Sequence, residues 1–107
     1  MIVRNFIQRK AGQLAYFIRA YWDHRIPYSE LDLYFWDTLE EWMQVKFSPD
    51  SPYSQKERVF WHVMHQTHYW SAQKLMQDPY LRGELETCLD YLEGEGQYPL
   101  DCIGIRP

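Results

Sequence analysis

Apolar side chains recur with helical spacing along nearly the whole chain, and a few breaker clusters cut that pattern into units. In residues 2–24, Val3, Ile7, Leu14, Ile18, Tyr21 and Trp22 fall on one side of a 3.6-residue period, with Phe6 and Phe17 beside them. Asn5, Gln8, Arg9, Gly12, Tyr16, Arg19 and Asp23 fall on the other side, and Pro27 closes the unit. Ser29 stands three residues before Asp32, a capping-box spacing with Asp in place of Glu. It opens a second helix, 29–47, with Leu31, Phe35, Leu39, Trp42 and Met43 inward and Asp37, Glu40, Glu41 and Gln44 outward.

Ser48-Pro49-Asp50-Ser51-Pro52-Tyr53 has turn chemistry. Ser54 and Glu57 then form a capping box for a third helix, 54–76. Val59, Phe60, Val63, Met64, Thr67, Trp70 and Ser71 share one broad face of it, continued by Leu75. Asp78-Pro79 supplies an N-cap and a proline at the first helical position of a fourth helix, 79–93. That helix buries the seam Leu81, Leu85, Cys88, Leu89 and Leu92, and Gly94 suits its C-terminal cap. Gly83 inside it would admit a neighbouring helix at close range. The tail, 95–107, carries a short apolar piece from Leu100 to Ile105 that either lies extended across the helices or stays free for a partner. The pattern predicts a single all-α domain over 1–107: a four-helix bundle or orthogonally packed helical domain with an extended C-terminal tail.

A chain of 107 residues buries enough surface for one core without metal or disulfide staples. Its aromatic content, 18%, is high. Such side chains either enlarge the burial of a small core or cover a surface that a partner shields. The formal charge of −4 argues against a dedicated nucleic-acid module. The sign is uneven. Arg4, Arg9, Lys10, Arg19 and Arg25 face Asp23 alone in residues 1–28, a net +4, whereas the remainder is −8. Attraction between neighbouring helices accounts for this; a basic face for an acidic partner, nucleic acid or anionic membrane is the sharper alternative. Lys10 falls among apolar positions and is expected to snorkel or to pair with an acid such as Asp32. Two cysteines are too few for a disulfide scaffold, and a reduced cytoplasmic setting is expected. No apolar run reaches membrane-spanning length, and the N-terminus lacks the continuous apolar stretch of a secretory signal.

The densest chemistry lies at His62, His65 and His68. Successive members drift by about 60° around a helix, so the three do not point at one ion. His65 and His68, as i and i+3 neighbours, are the pair that could co-ligate a metal, with a third donor from His24, Cys88, Cys102 or an acid elsewhere. No H-E-x-x-H, C-x-x-C, G-x-S-x-G or phosphate-cradling loop is present, so the sequence assigns no catalytic residue and no cofactor. Cys88, in the leucine seam, should be an inert thiol, and Cys102 in the tail the more reactive one.

Trp61, His65 and His68 share a second stripe beside the core stripe and are the leading candidates for a partner-binding face, with Tyr16 and Arg19 as second choice. The expectation is a non-enzymatic protein–protein interaction module acting as adaptor, regulator or assembly partner, with a protein partner or as a homodimer. The alternatives are a small-ligand or metal-binding helical protein, and anionic-polymer or membrane-surface binding through basic helix one.

Overall fold

The computed structural model describes residues 2–107. Five helices follow one another: α1 (Val3–Trp22), α2 (Tyr28–Trp42), α3 (Gln55–Tyr69), α4 (Ala72–Gln77) and α5 (Pro79–Leu92). There is no strand among the described residues, so the all-α expectation holds. The predicted four helices are five because the third divides. α1 packs against α2, α3 and α5, and α3 packs against α5. Among the described residues no helix is long and apolar enough to cross a membrane.

Large aromatics build the core. Phe6 lies 5.4 Å from Trp42 and 6.3 Å from both Phe60 and Trp61, and Trp42 meets Trp61 edge-on at 4.9 Å. Edge and tilted contacts at these separations suit the aromatic quadrupole. Below this cluster the seam of α5 closes on α3 as its spacing implied, with Leu81, Leu85, Cys88, Leu89 and Leu92 all buried.

The boundaries differ from the sequence reading at four places. α1 stops at Trp22, and a Schellman turn follows: Arg25 N–H donates to Ala20 O, His24 N–H donates to Tyr21 O, and His24 takes φ 60°. α2 starts at Tyr28 after Pro27, so Ser29 makes no side-chain cap. It ends at Trp42 because the chain tightens into i→i+3 bonds, Gln44 N–H to Glu41 O and Val45 N–H to Trp42 O. That turn drops Val45 into the core and leaves Met43, expected inward, 80% exposed. α3 breaks at Trp70, which is extended, and Ser71 accepts from Lys74 N–H to cap a new short helix. Leu75 therefore reaches the core from α4 rather than from α3. Gly83 faces open space and admits no neighbour. Lys10 is buried but pairs with Glu41 at 2.6 Å rather than with Asp32.

The tail is docked. From Asp101 to Ile105 its inward and outward residues alternate: Cys102 and Gly104 are buried, whereas Asp101, Ile103 and Ile105 are exposed. That is the period of an extended segment. Gly104 N–H donates to Arg58 O at 3.1 Å, and a Cβ on Gly104 would stand 2.2 Å from the His62 backbone nitrogen. No side chain fits between tail and α3 there. Arg106 anchors the end, with Nε 2.5 Å from Glu57 Oε2, Nη2 2.8 Å from Glu57 Oε1, and Nη1 donating to Ser51 O at 3.0 Å. Its guanidinium lies over Tyr53 and Phe47.

Gly104→Ala should therefore lift the tail while the helices stay formed. The expected result is unchanged far-ultraviolet circular dichroism with alkylation of Cys102 by iodoacetamide faster by about tenfold or more, because the opening that exposes it becomes cheaper.

Candidate functional site

The docked tail carries Cys102 onto the junction of α3 and α5. Cys102 Sγ lies 3.3 Å from Cys88 Sγ in the seam of α5. His62 on α3 completes a trio whose ligand atoms all lie within 4.8 Å of one another. Both sulfurs are buried, and His62 is partly exposed on the outer side. Three elements meet here for separate local reasons. Cys88 is on the narrow apolar face of α5, His62 flanks the core face of α3, and the alternation of the extended tail turns Cys102 inward two residues before the close approach at Gly104.

Two thiols and an imidazole in contact cannot keep their solution proton affinities. The hydrogen bond from Cys88 favours the ionised form of Cys102, burial opposes it, and His62 adds a second favourable interaction, so the Cys102 thiol is held below its ordinary range. Cys88 is pushed up, first by donating to Cys102, then by burial and by the neighbouring charges of Cys102 and Glu84. His62 is raised by its interaction with Cys102 against the opposing effect of burial. The site thus favours a thiolate at Cys102, an imidazolium at His62 and a protonated Cys88. Such a thiolate is the nucleophilic and metal-binding form of cysteine.

The histidines that the sequence paired do not meet. His65 Nε2 lies 2.8 Å from the carbonyl oxygen of Ile105 and helps fix the tail. His68 stacks on Phe35 at 4.4 Å and meets Trp36 edge-on at 5.2 Å. The drift around the helix sends the two rings to different elements, and neither belongs to a group of three potential ligands among the described residues. The expected partner-binding residue Trp61 is fully buried. Its ring fills the space beside Phe6, Trp42 and Phe60, and its indole N–H donates to Glu57 at 3.0 Å. Arg19 is committed within the molecule, 2.8 Å from both Asp90 and Glu93 of α5 and 3.6 Å from Glu86. Tyr16 stays exposed, with the Arg25 guanidinium over its ring. Nothing in the spacing of 62, 88 and 102 links His62 to the two thiols; the tail geometry does, and its one sequence trace is the glycine at 104.

The outer face of α2 is a second feature. Leu33 and Trp36 are each about half exposed and share it with Met43. The helix carries Glu30, Asp32, Asp37, Glu40 and Glu41 and no base. The edge contact of Trp36 with His68 extends this face to the end of α3, where Tyr69 is exposed. A concavity of about 650 Å³ lies elsewhere, between the start of α1, the loop after α2 and the start of α3. Arg4, Lys46 and Lys56 surround its apolar floor of Val3, Ile7 and Phe47, and it holds no thiol or imidazole.

No protein-family model, curated protein or solved structure matches the chain, so a functional reading rests on its own residues.

The linkage signs follow from these shifts. The lowered Cys102 pKa contributes stability that is full above the unfolded thiol value and lost as pH falls through the folded one. The raised His62 pKa contributes stability that is full below the unfolded imidazole value and lost as pH rises through the folded one. In reduced protein freed of metal by a chelator, the ultraviolet absorbance of one thiolate should therefore titrate below the ordinary thiol value of about 8.5. It should disappear in Cys102→Ser and persist in Cys88→Ser.

Proposed function

We propose that the protein is a non-enzymatic helical interaction module whose α2 face receives a basic amphipathic segment of a partner protein. The observation that carries this is the composition of that face: exposed Leu33, Trp36 and Met43 on a helix with five acids and no base. Large apolar side chains, Trp above all, supply most of the affinity in such contacts. Surrounding carboxylates select a cationic partner and speed its encounter. His68, under the edge of Trp36, is the one residue of the expected partner stripe that adjoins this face.

What sets helix one aside as the binding element is the use of its charge inside the molecule. Lys10 and Arg9 reach Glu41 of α2, and Arg19 reaches the acids of α5. Its apolar stripe is buried as well, from Phe6 to Trp22, and is not open to a lipid surface.

The test is fluorescence anisotropy with a labelled synthetic helix of Lys and Leu at amphipathic spacing, and with its counterpart carrying Glu for Lys. The basic peptide should bind, more weakly as salt is raised. Trp36→Ala should weaken it by about tenfold or more, and Glu40→Lys should weaken it too. Tyr80→Ala, an exposed aromatic on α5, should not. Equal binding of both peptides, or indifference to Trp36→Ala, would reject the reading. A dimer in light scattering that Trp36→Ala dissolves would replace the partner segment by a second copy of the chain.

A further inference from the structure

We propose that His62, Cys88 and Cys102 form a three-ligand site for a thiophilic divalent metal ion, zinc by donor chemistry, with a fourth position left to water or an exogenous ligand. The proposal is independent of the α2 face and uses none of its residues.

The donor set argues for the metal class. Two sulfurs and one imidazole are soft and borderline donors, which suit zinc and its neighbours and not magnesium or calcium. Two cysteines and a histidine with an open fourth position are one of the recurrent arrangements of zinc sites that are not closed. The trio is the only such group of three among the described residues.

The geometry argues for a metal over a simple disulfide. Bond lengths of about 2.3 Å to sulfur and about 2.0 Å to nitrogen, at tetrahedral angles, place the two sulfurs about 3.8 Å apart and each sulfur about 3.5 Å from the ring nitrogen. The sulfurs now stand 3.3 Å apart, so metal entry asks them to part by about 0.5 Å. A disulfide asks them to approach by about 1.3 Å, to a bond of about 2.05 Å. All donor pairs already lie within 4.8 Å, and each donor comes from a different element. α3 and α5 pack directly on each other, and the tail is held at the approach by Gly104 N–H on Arg58 O and just beyond it by His65 through Ile105 and by Glu57 through Arg106. Only His62 of the three is partly exposed, so the fourth position opens on its side. Glu84 and Asp101 act electrostatically on the trio and add negative potential where a dication would sit.

Charge and protons balance. The metal takes two thiolates and one neutral imidazole, giving a site of zero net charge. The proton on Cys88 and the proton on an imidazolium His62 pass to solvent as the two bonds form. An ion held this way ties the tail to both helices, so binding energy becomes tail-docking energy.

Cobalt(II) titration of the reduced, metal-free full chain tests the proposal. A one-to-one complex with thiolate-to-cobalt charge-transfer bands and tetrahedral d–d absorption is expected, displaced by zinc. Cys88→Ser, Cys102→Ser and His62→Ala should each weaken cobalt binding by about 100-fold or more, at least as much as losing an outer-shell partner does. His24→Asn should leave it unchanged. Circular dichroism identifies any variant that fails to fold, and in that case zinc protection of Cys88 and Cys102 of the unaltered chain against alkylation reads the same ligands. An octahedral spectrum, binding indifferent to Cys102→Ser, or reduced protein that takes up no metal and instead oxidises to a chain two hydrogens lighter would overturn the site.

Discussion

The carboxylate of Glu57 joins the C-terminal tail to the aromatic core. The residue is 2% exposed and engages three others at once. Its backbone N–H is capped by Ser54, its Oε2 receives the indole N–H of Trp61, and both oxygens receive the Arg106 guanidinium. Through Trp61 it is tied to the aromatic core, and through Arg106 to the end of the tail. A buried ion pair gains little net stability over a well-packed apolar one, but removing one member costs about 3–5 kcal/mol because the other is left uncompensated. The pair therefore fixes where the tail goes more than how stable the helices are. Cys102 and the close approach at Gly104 both lie in the segment whose position it determines.

The three histidines of α3 show how a helix distributes chemistry. Each step of three residues rotates the side chain by about 60°, and the three successive positions meet three different neighbours. His62 faces the sulfurs, His65 the tail carbonyl of Ile105, and His68 the rings of Phe35 and Trp36. The same rotation that prevents a shared ion among them lets one helix support the tail, the thiol cluster and the edge of the α2 face. The tail and the thiol cluster are coupled through Cys102, whereas the edge of the α2 face is served by a different side chain, His68.

The helices were legible in the sequence wherever cap and periodicity agreed. Asp78-Pro79 opened α5, Gly94 takes φ 88° after it, and every residue of the leucine seam is buried. Where periodicity ran on past a cap, it misled. Leu75 keeps the phase of α3 although Ser71 starts a new helix, because a residue in phase can be delivered to the core from either. Met43 fits the inward stripe of α2, but the tightened turn satisfies the last carbonyls and gives the inner place to Val45. Trp61 looked like a surface residue because its stripe lies beside the main one. In a core of Trp and Phe the apolar arc is wider than one stripe, and the indole N–H finds its acceptor one turn back at Glu57. Cys88 and Cys102 stood out singly as possible donors, but their meeting with His62 was not legible. The three are 26 and 14 residues apart in sequence, and their meeting depends on an irregular segment for which periodicity has no rule.

Charge follows the same logic at the scale of the whole chain. The basic excess of the first 28 residues and the acidic excess of the rest could have marked a surface for anions. Much of that excess is instead neutralised at helix contacts, where Arg19 bridges Asp90 and Glu93 and Lys10 sits under Glu41. Pairing of this kind is short-ranged and leaves the unpaired carboxylates to set the field at the surface. Glu40 and Asp37, outside the contact with α1, belong to that remainder, and they stand beside the apolar side chains that the core did not take up. The basic stretch of α1 thus sharpens the acidic character of α2: by binding the acids on the inner edge of that helix it fixes which face is turned to the core and which acids and aromatics are left outside.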